Sequence, residues 1–314
     1  MNKNSRIYVA GHTGLIGSAL VRRLGMSGFD NLLLTTHSEI ELTDAAAVNG
    51  FFDAKSPEYV LLAAGKVGGI VENQSYPADF LEQNLAIQLN VLMAAQRAGV
   101  KKLILFASSC MYPRECPQPM SESALLTGAP EPTSLAYAVS KLAGVQMCLS
   151  YNQQYGETRF LPVIPNSVYG PNDNFDPKAG HVLSALIRRF HEATVEGRST
   201  VTLWGSGTPR REFVHADDVA DACIHLLSSD VSTENFPLNI GVGHDLSIRE
   251  LAEIVARVTS FTGTLECDPA KPDGAPRKLL DSSRLLSRGW HPRVDFETGL
   301  RATYEWYLND LKVS

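Results

Sequence analysis

Arg6-Ile-Tyr-Val-Ala-Gly11-His-Thr-Gly14-Leu-Ile-Gly17 is the stretch that decides the fold. Residues 6–10 form a short apolar run that reads as a strand, and residues 16–26 read as a helix. The glycines fall between the two. Such a turn is tight, lets backbone approach a pyrophosphate closely, and packs helix against strand without a side chain in the way. The helix start offers free N–H groups and the positive end of its dipole to phosphates. Placement between strand and helix, more than the glycine triplet itself, points to a dinucleotide site at Gly11, His12, Thr13, Gly14, Leu15, Ile16 and Gly17.

Outward from this turn the chain alternates. Strands are expected at 31–36, 59–63, 102–108 and 159–165, and helices at 45–52, 79–98 and 135–155. Strands alternating with helices give an α/β fold with a doubly wound parallel sheet of the Rossmann type, helices lying on both faces. Ala63-Ala64-Gly65 ends the third strand, where small residues let a cofactor come close. After Tyr169 the rhythm changes. Residues 170–180 and 205–211 read as polar loops, 181–196, 216–227 and 247–259 as helices, 200–204 and 237–240 as strands, and 268–276 as a proline-rich segment. We therefore expect a dinucleotide-binding domain over 1–169 plus about 212–240. A smaller C-terminal substrate-binding lobe, over 170–211 and 241–314, lies on the sheet's carboxyl edge.

Bulk properties narrow the function. The chain has 314 residues, 44% of them hydrophobic, enough for a large core. A net charge of −6 argues against nucleic acid or an anionic membrane as partner. No apolar run reaches spanning length, and the N-terminus carries no signal-peptide pattern. Five cysteines without a CxxC pair fit a reducing compartment and no metal, so a cytoplasmic location is expected.

Tyr137-Ala-Val-Ser-Lys141 carries the chemistry. Residues four apart share a helix face, so the lysine ammonium can stand beside the phenol and favour phenolate. That makes the phenol a proton donor or acceptor for a carbonyl or an alcohol. Ser108, at a strand's carboxyl end, supplies a third polar group for the substrate oxygen. With the dinucleotide turn upstream, Ser108, Tyr137 and Lys141 read as the catalytic set of a nicotinamide-dependent oxidoreductase.

The glycine spacing resembles that of the extended short-chain dehydrogenases, in which an Asp often contacts adenine. Asp44 stands at the matching place here, and capping of the following helix is an equal reading. More specifically, the chain resembles the GDP-L-fucose synthase family, GDP-4-keto-6-deoxymannose 3,5-epimerase/4-reductases. The resembling segments are residues 9–14, 63–70, 108–113, 137–141, 169–175, 181, 188–191, 204–209, 211–213 and 277–281. The resemblance implies NADP (NADPH) as cofactor and a GDP-linked keto-deoxy sugar as substrate, epimerised at C3 and C5 and then reduced at C4. It implies that Cys110 and His181 are the epimerising acid and base. It carries substrate contacts onto Ser109, Arg189, Trp204, Arg211 and Lys278, and further cofactor contacts onto His37, Ala63, Ala64, Gly65, Ile164, Asn166 and His181.

The chain departs from the family where Thr13, Thr35 and His37 stand at commonly arginine positions, and at Pro165-Asn-Ser167. No acid ends the second strand before Glu39, which disfavours NAD, so NADP rests on the resemblance. The resemblance also implies a homodimer through the helices 79–98 and 135–155, with Leu85, Leu92 and Met147 read as apolar beyond the core stripe. Two rivals differ in kind. One is a related GDP-keto-sugar reductase or colitose-type 5-epimerase/reductase, and the other a non-catalytic dinucleotide-binding regulator.

Overall fold

The structure, a computed structural model, describes every residue except 177–179, 230–234, 272 and 313–314. In chain order it runs β1 (Ile7–Ala10), α1 (Leu15–Met26), β2 (Leu32–Leu33), α2 (Ala45–Lys55), β3 (Tyr59–Leu62), α3 (Ile70–Ser75), α4 (Pro77–Arg97) and β4 (Lys102–Phe106). Next come α5 (Leu135–Tyr155), β5 (Phe160–Pro165), β6 (Ser167–Tyr169), α6 (Val182–Val195), β7 (Thr200–Trp204), β8 (Arg210–Arg211) and β9 (Phe213–His215). The remainder holds α7 (Ala216–Ser228), β10 (Leu238–Ile240), β11 (Leu246–Ser247), α8 (Ile248–Val258), β12 (Thr264–Asp268), β13 (Arg277–Lys278), α9 (Ser283–Leu286) and α10 (Phe296–Asp310).

The central sheet has the order β10-β5-β4-β3-β1-β2, and every pairing in it is parallel. Its inner strands are buried on both faces, as parallel sheets require. Alternate residues of β1 enter opposite cores. Ile7 and Val9 pack with Leu20 and Leu24 of α1 and Val219 and Cys223 of α7. Tyr8 and Ala10 pack with Phe52 of α2, Val91 and Leu92 of α4, and Cys148 of α5. The chain crosses from β1 outward to β2 and then back past β1 to β3, so the direction of winding reverses between β1 and β3. A crevice opens there at the carboxyl ends of the strands, where ligands of such sheets lie. A further core joins α6, α8 and α10 through Ile187, Phe190, Leu251, Val255, Leu300 and Tyr307.

Most elements fall where the sequence pattern places them, with several differences. The strand expected at 31–36 contracts to Leu32–Leu33, because Glu39 N and Ile40 N bond the Thr36 carbonyl and turn the chain away. The helix expected from 79 begins at Pro77, which suits a first helical turn since its missing N–H is not needed there. The expected loop 205–211 ends in β8, which pairs with β11 and β13. Helices α3, α9 and α10 lie where the sequence pattern places none. Residues 177–179 of the expected loop 170–180 and residue 272 of the proline-rich segment lie outside the described residues. Leu92, read as an outward apolar residue, is wholly buried; the exposed large hydrophobics on α4 and α5 are Leu89, Met93, Leu135, Val139 and Tyr155.

Candidate active site at the carboxyl edge of the sheet

The glycine turn packs against the end of β3. Gly11 has φ 82°, and a Cβ there would stand 2.7 Å from Ala64 N. A Cβ on Gly17 would stand 1.9 Å from the Gly11 carbonyl oxygen, so neither place admits a side chain. Helix α1 begins after Gly14 with no side-chain cap and no acid in its first turn. Its first N–H groups are left for an anion. His12 Nδ1 is buried, with no hydrogen-bond partner among the described residues. Thr13 and Gly14 are exposed, and Ala63, Ala64 and Gly65 offer little side chain opposite them. An uncapped helix start, an unpartnered buried ring nitrogen and a small-residue wall fit the pyrophosphate of a dinucleotide.

Beside this crevice, Lys141 is buried on α5, and its Nζ donates to the Phe106 carbonyl at 3.0 Å. The ammonium lies 5.7 Å from the Tyr137 ring centroid, and a Cβ on Gly65 would be 3.5 Å from it. Burial pulls the Lys141 ammonium down to about 8. The Ser108 hydroxyl lies near enough to the Tyr137 phenol to act on it. The phenol nevertheless lies above its ordinary range: burial raises it most, nearby Cys110 adds to that, and Ser108 opposes. This corrects the expectation that Lys141 lowers the phenol. The lysine is itself desolvated and anchored to a carbonyl, so burial wins.

Cys110 also acts electrostatically on Arg211 of β8, as well as on Tyr137. The Arg211 guanidinium donates through Nη1 to the carbonyls of Arg210 and Ala275, both at 2.7 Å. Burial pulls it below its ordinary range, partly offset by Cys110. Ser109 Oγ donates to Asn166 Oδ1 at 3.1 Å, and Asn166 Nδ2 donates to Glu212 Oε2 at 2.8 Å and to the Lys278 carbonyl at 3.1 Å. Ser108, Ser109, Cys110, Tyr137, Lys141, Asn166, Arg211 and Lys278 thus form one neighbourhood.

The other expected residues stand apart from it. His181 is exposed just before α6, and acts on Asp173, whose carboxyl burial pushes up while His181 pulls it down. Among the described residues, no hydrogen bond joins the His181 ring to Ser108, Cys110 or Tyr137. Arg189 donates to the Thr202 carbonyl at 2.9 Å and lines a cavity of about 340 Å³ with Arg188, Glu192 and Arg198. Trp204 is 63% exposed, with Lys271 Nζ 5.7 Å from its ring centroid. Ile164 has a wholly buried side chain, packed with Met111 and Leu280, so only its backbone can face a ligand. His37 Nε2 pairs with Glu41 Oε2 at 2.8 Å, and Asp44 Oδ1 accepts from Ala46 N and Ala47 N, capping α2.

Sequence reasoning missed Glu212. Its carboxylate is wholly buried and accepts from four N–H donors, including Val242 N at 2.7 Å, Gly243 N at 2.8 Å and Leu280 N at 3.0 Å. A lone acid between Arg211 and the apolar Phe213-Val214 was the available signal. Asn84 was missed too. Its side chain bonds both the N–H and the carbonyl of Lys66, at 3.1 and 2.9 Å, fixing the chain after Gly65.

A doubly wound sheet, an uncapped glycine turn at its reversal point and a serine–tyrosine–lysine cluster define a dinucleotide-dependent oxidoreductase of carbonyl and alcohol groups. The chain belongs to the NAD dependent epimerase/dehydratase family, whose model matches residues 7–241. It is 53% identical to GDP-L-fucose synthase 1 of Arabidopsis thaliana over 99% of this chain and 95% of that one. It is 48% identical to the GDP-L-fucose synthase of Escherichia coli over 97% of each chain. Among solved structures it is similar to a GDP-L-fucose synthetase from Naegleria fowleri bound to NADP, with a TM-score of 0.90 and 27% identity, covering 100% of this chain and 97% of that one.

Proposed function

We propose that this chain makes GDP-L-fucose: it epimerises GDP-4-keto-6-deoxy-D-mannose at C3 and C5 and reduces the C4 ketone with NADPH. The observation that carries this reading is the meeting of Cys110 with Tyr137 and Arg211 at the sheet's carboxyl edge. It brings a thiol for carbon-acid chemistry, a phenol for carbonyl reduction and a cation that among the described residues meets carbonyls and no carboxylate into one neighbourhood. Near-full-length identity to GDP-L-fucose synthases supports the sugar assigned.

NADPH, when bound, supplies the hydride for C4. The residues do the rest. Ser108 hydrogen-bonds the C4 oxygen and Tyr137 delivers its proton, a transfer suited to a phenol that burial keeps protonated. Lys141 holds positive charge close to the Tyr137 ring, where phenolate forms as the proton leaves. A ketone at C4 makes the protons on C3 and C5 acidic, and Cys110 and His181 are the base and acid that exchange them. Arg211, Arg189 and Lys278 are the substrate's cationic contacts, and Arg suits a diphosphate through paired N–H donors. Trp204 and Ser109 complete the contacts. The turn Gly11–Gly17, with His37, Asp44, Ala63, Ala64, Gly65, Ile164 and Asn166, is the cofactor side.

The same reading divides the chain into a dinucleotide-binding domain, 1–169 with about 212–240, and a substrate lobe. The third core, around Phe190 and Leu251, supports that division. A homodimer through α4 and α5 is supported by exposed Leu89, Met93, Leu135 and Val139. A cytoplasmic location is supported by five free cysteines; no described helix is long and apolar enough to cross a membrane. Mass spectrometry of products from GDP-4-keto-6-deoxymannose and NADPH tests the function. GDP-L-fucose is expected, and a product reduced without inversion at C3 and C5 rejects it.

A further inference from the structure

In doubly wound sheets the strand next to the glycine turn ends beside the adenosine ribose. An acid there bonds the ribose hydroxyls, whereas an Arg accommodates a 2′-phosphate. Here that strand is β2, paired with β1, and a hydrogen bond of 3.1 Å between the Tyr8 and Thr35 hydroxyls fixes its exit. Neither the turn at 11–17 nor the connection at 34–44 contains an Arg or a Lys.

A carboxylate reaches the end of this strand from six residues beyond Leu33. Glu39 turns back, and its Oε2 accepts from Thr36 N at 2.7 Å and from Thr36 Oγ1 at 2.8 Å. These bonds, backbone first, hold its carboxyl below the ordinary range, and His12 of the glycine turn adds to the effect. His37, the basic side chain of this connection, is paired with Glu41. A 2′-phosphate brings roughly 1.5 to 2 negative charges. At this exit it meets the carboxylate of Glu39, a histidine already facing Glu41, and hydroxyls.

We infer that this chain, taken as the dinucleotide-dependent enzyme proposed above, gains little from a 2′-phosphate and binds NAD(H) as well as NADP(H), with Glu39 as the residue that sets this selectivity. The pyrophosphate is held by the uncapped start of α1 in either case, so the shared part of the two cofactors carries the affinity.

Isothermal titration calorimetry of the full chain with NADP⁺ and NAD⁺ reads binding without turnover. NADP⁺ is expected to bind less than about tenfold more tightly than NAD⁺, a difference under about 1.4 kcal/mol; a larger preference overturns the inference. Glu39→Gln removes the charge and keeps an oxygen for Thr36. It is expected to tighten NADP⁺ about threefold while NAD⁺ changes less than about twofold, on the scale of exposed charge interactions. An unchanged ratio overturns the inference. Thr35→Arg is expected to tighten NADP⁺ selectively by about tenfold, as a charge-assisted phosphate contact does. Absence of that gain places the phosphate elsewhere and overturns it as well. Binding of neither dinucleotide is a separate result, which rejects the proposed function itself.

Discussion

Lys141 Nζ lies 5.7 Å from the centre of the Tyr137 ring, held there by its hydrogen bond to the Phe106 carbonyl. The lysine is thus fixed by the end of β4 and not by the tyrosine it serves. Its ammonium is buried, and burial alone lowers its pKa to about 8. Proton delivery and charge placement at this site are therefore separable by mutation.

Tyr137→Phe is expected to lower reduction by about 10³-fold, because no proton donor remains for the C4 oxygen. Proton exchange at C3 and C5 should persist. Cofactor oxidation followed beside mass gain of the keto sugar in deuterium oxide separates the two, and joint loss of both would contradict the division of roles.

Cys110→Ser is the converse. A hydroxyl is far less acidic than a thiol, whose ordinary pKa is about 8.5, so exchange in deuterium oxide should fall by about 10²-fold or more. The variant should still reduce the unepimerised ketone slowly. Exchange at the wild-type rate makes Cys110 a packing residue and the protein a plain 4-reductase.

Lys141 also predicts a pH dependence of stability. Its folded-state pKa, about 8, is below the ordinary 10.5, so between these values the unfolded chain binds the extra proton. Stability from this group therefore rises with pH across that window, by at most about 3 kcal/mol, and the burial cost is fully present below pH 8. Lys141→Met should lack the rise and should be more stable than wild type at neutral pH while inactive. Urea midpoints of the cofactor-free protein taken across the window decide it; parallel curves for the two proteins are the contrary result.

Glu212→Ala leaves four N–H donors without their acceptor, those of Asn166 and Leu280 buried and those of Val242 and Gly243 partly so. Removing one side of such a buried charged network costs about 3–5 kcal/mol. Glu212→Gln, which turns an N–H toward other N–H groups, should cost less but measurably. Chemical denaturation checks both, and a loss under about 1 kcal/mol for the alanine variant would mean that water replaces the carboxylate.

Leu89→Asp together with Val139→Asp should leave a monomer by light scattering at micromolar concentration. Both side chains are exposed on the paired helices, so folding is spared. A wild-type protein that is already monomeric under the same conditions removes the dimer.

The parts of this molecule legible in its sequence are those set by local periodicity and backbone need. The glycine turn reads directly because no side chain fits at Gly11 or Gly17, and α5 reads to the residue because Gly156, at φ 67°, stops it. Tyr137 and Lys141 read as a pair because helical spacing alone brings them together. Glu212 did not, since its donors come from Asn166, Val242, Gly243 and Leu280, far apart in the chain. Glu39 escaped for a related reason: its carboxylate reaches the exit of β2 only by folding back onto Thr36. The electrostatic state of Tyr137 is not legible in the sequence, because burial depends on packing that no motif records.

The buried carboxylate of Glu212 also bears on how substrate enters. Its four bonds reach the exit of β5, the turn after β10 and the exit of β13 at once. A hinge that swung the C-terminal segments away from the sheet would strip all four together from a wholly buried carboxylate. The cleft is therefore a preset mould at its floor, and it selects a sugar by shape already in place. The rim, where Trp204 and His181 stand exposed, lies outside those bonds. Exchange of the rim, with the floor kept, is the route by which such a scaffold would change its sugar without changing its chemistry.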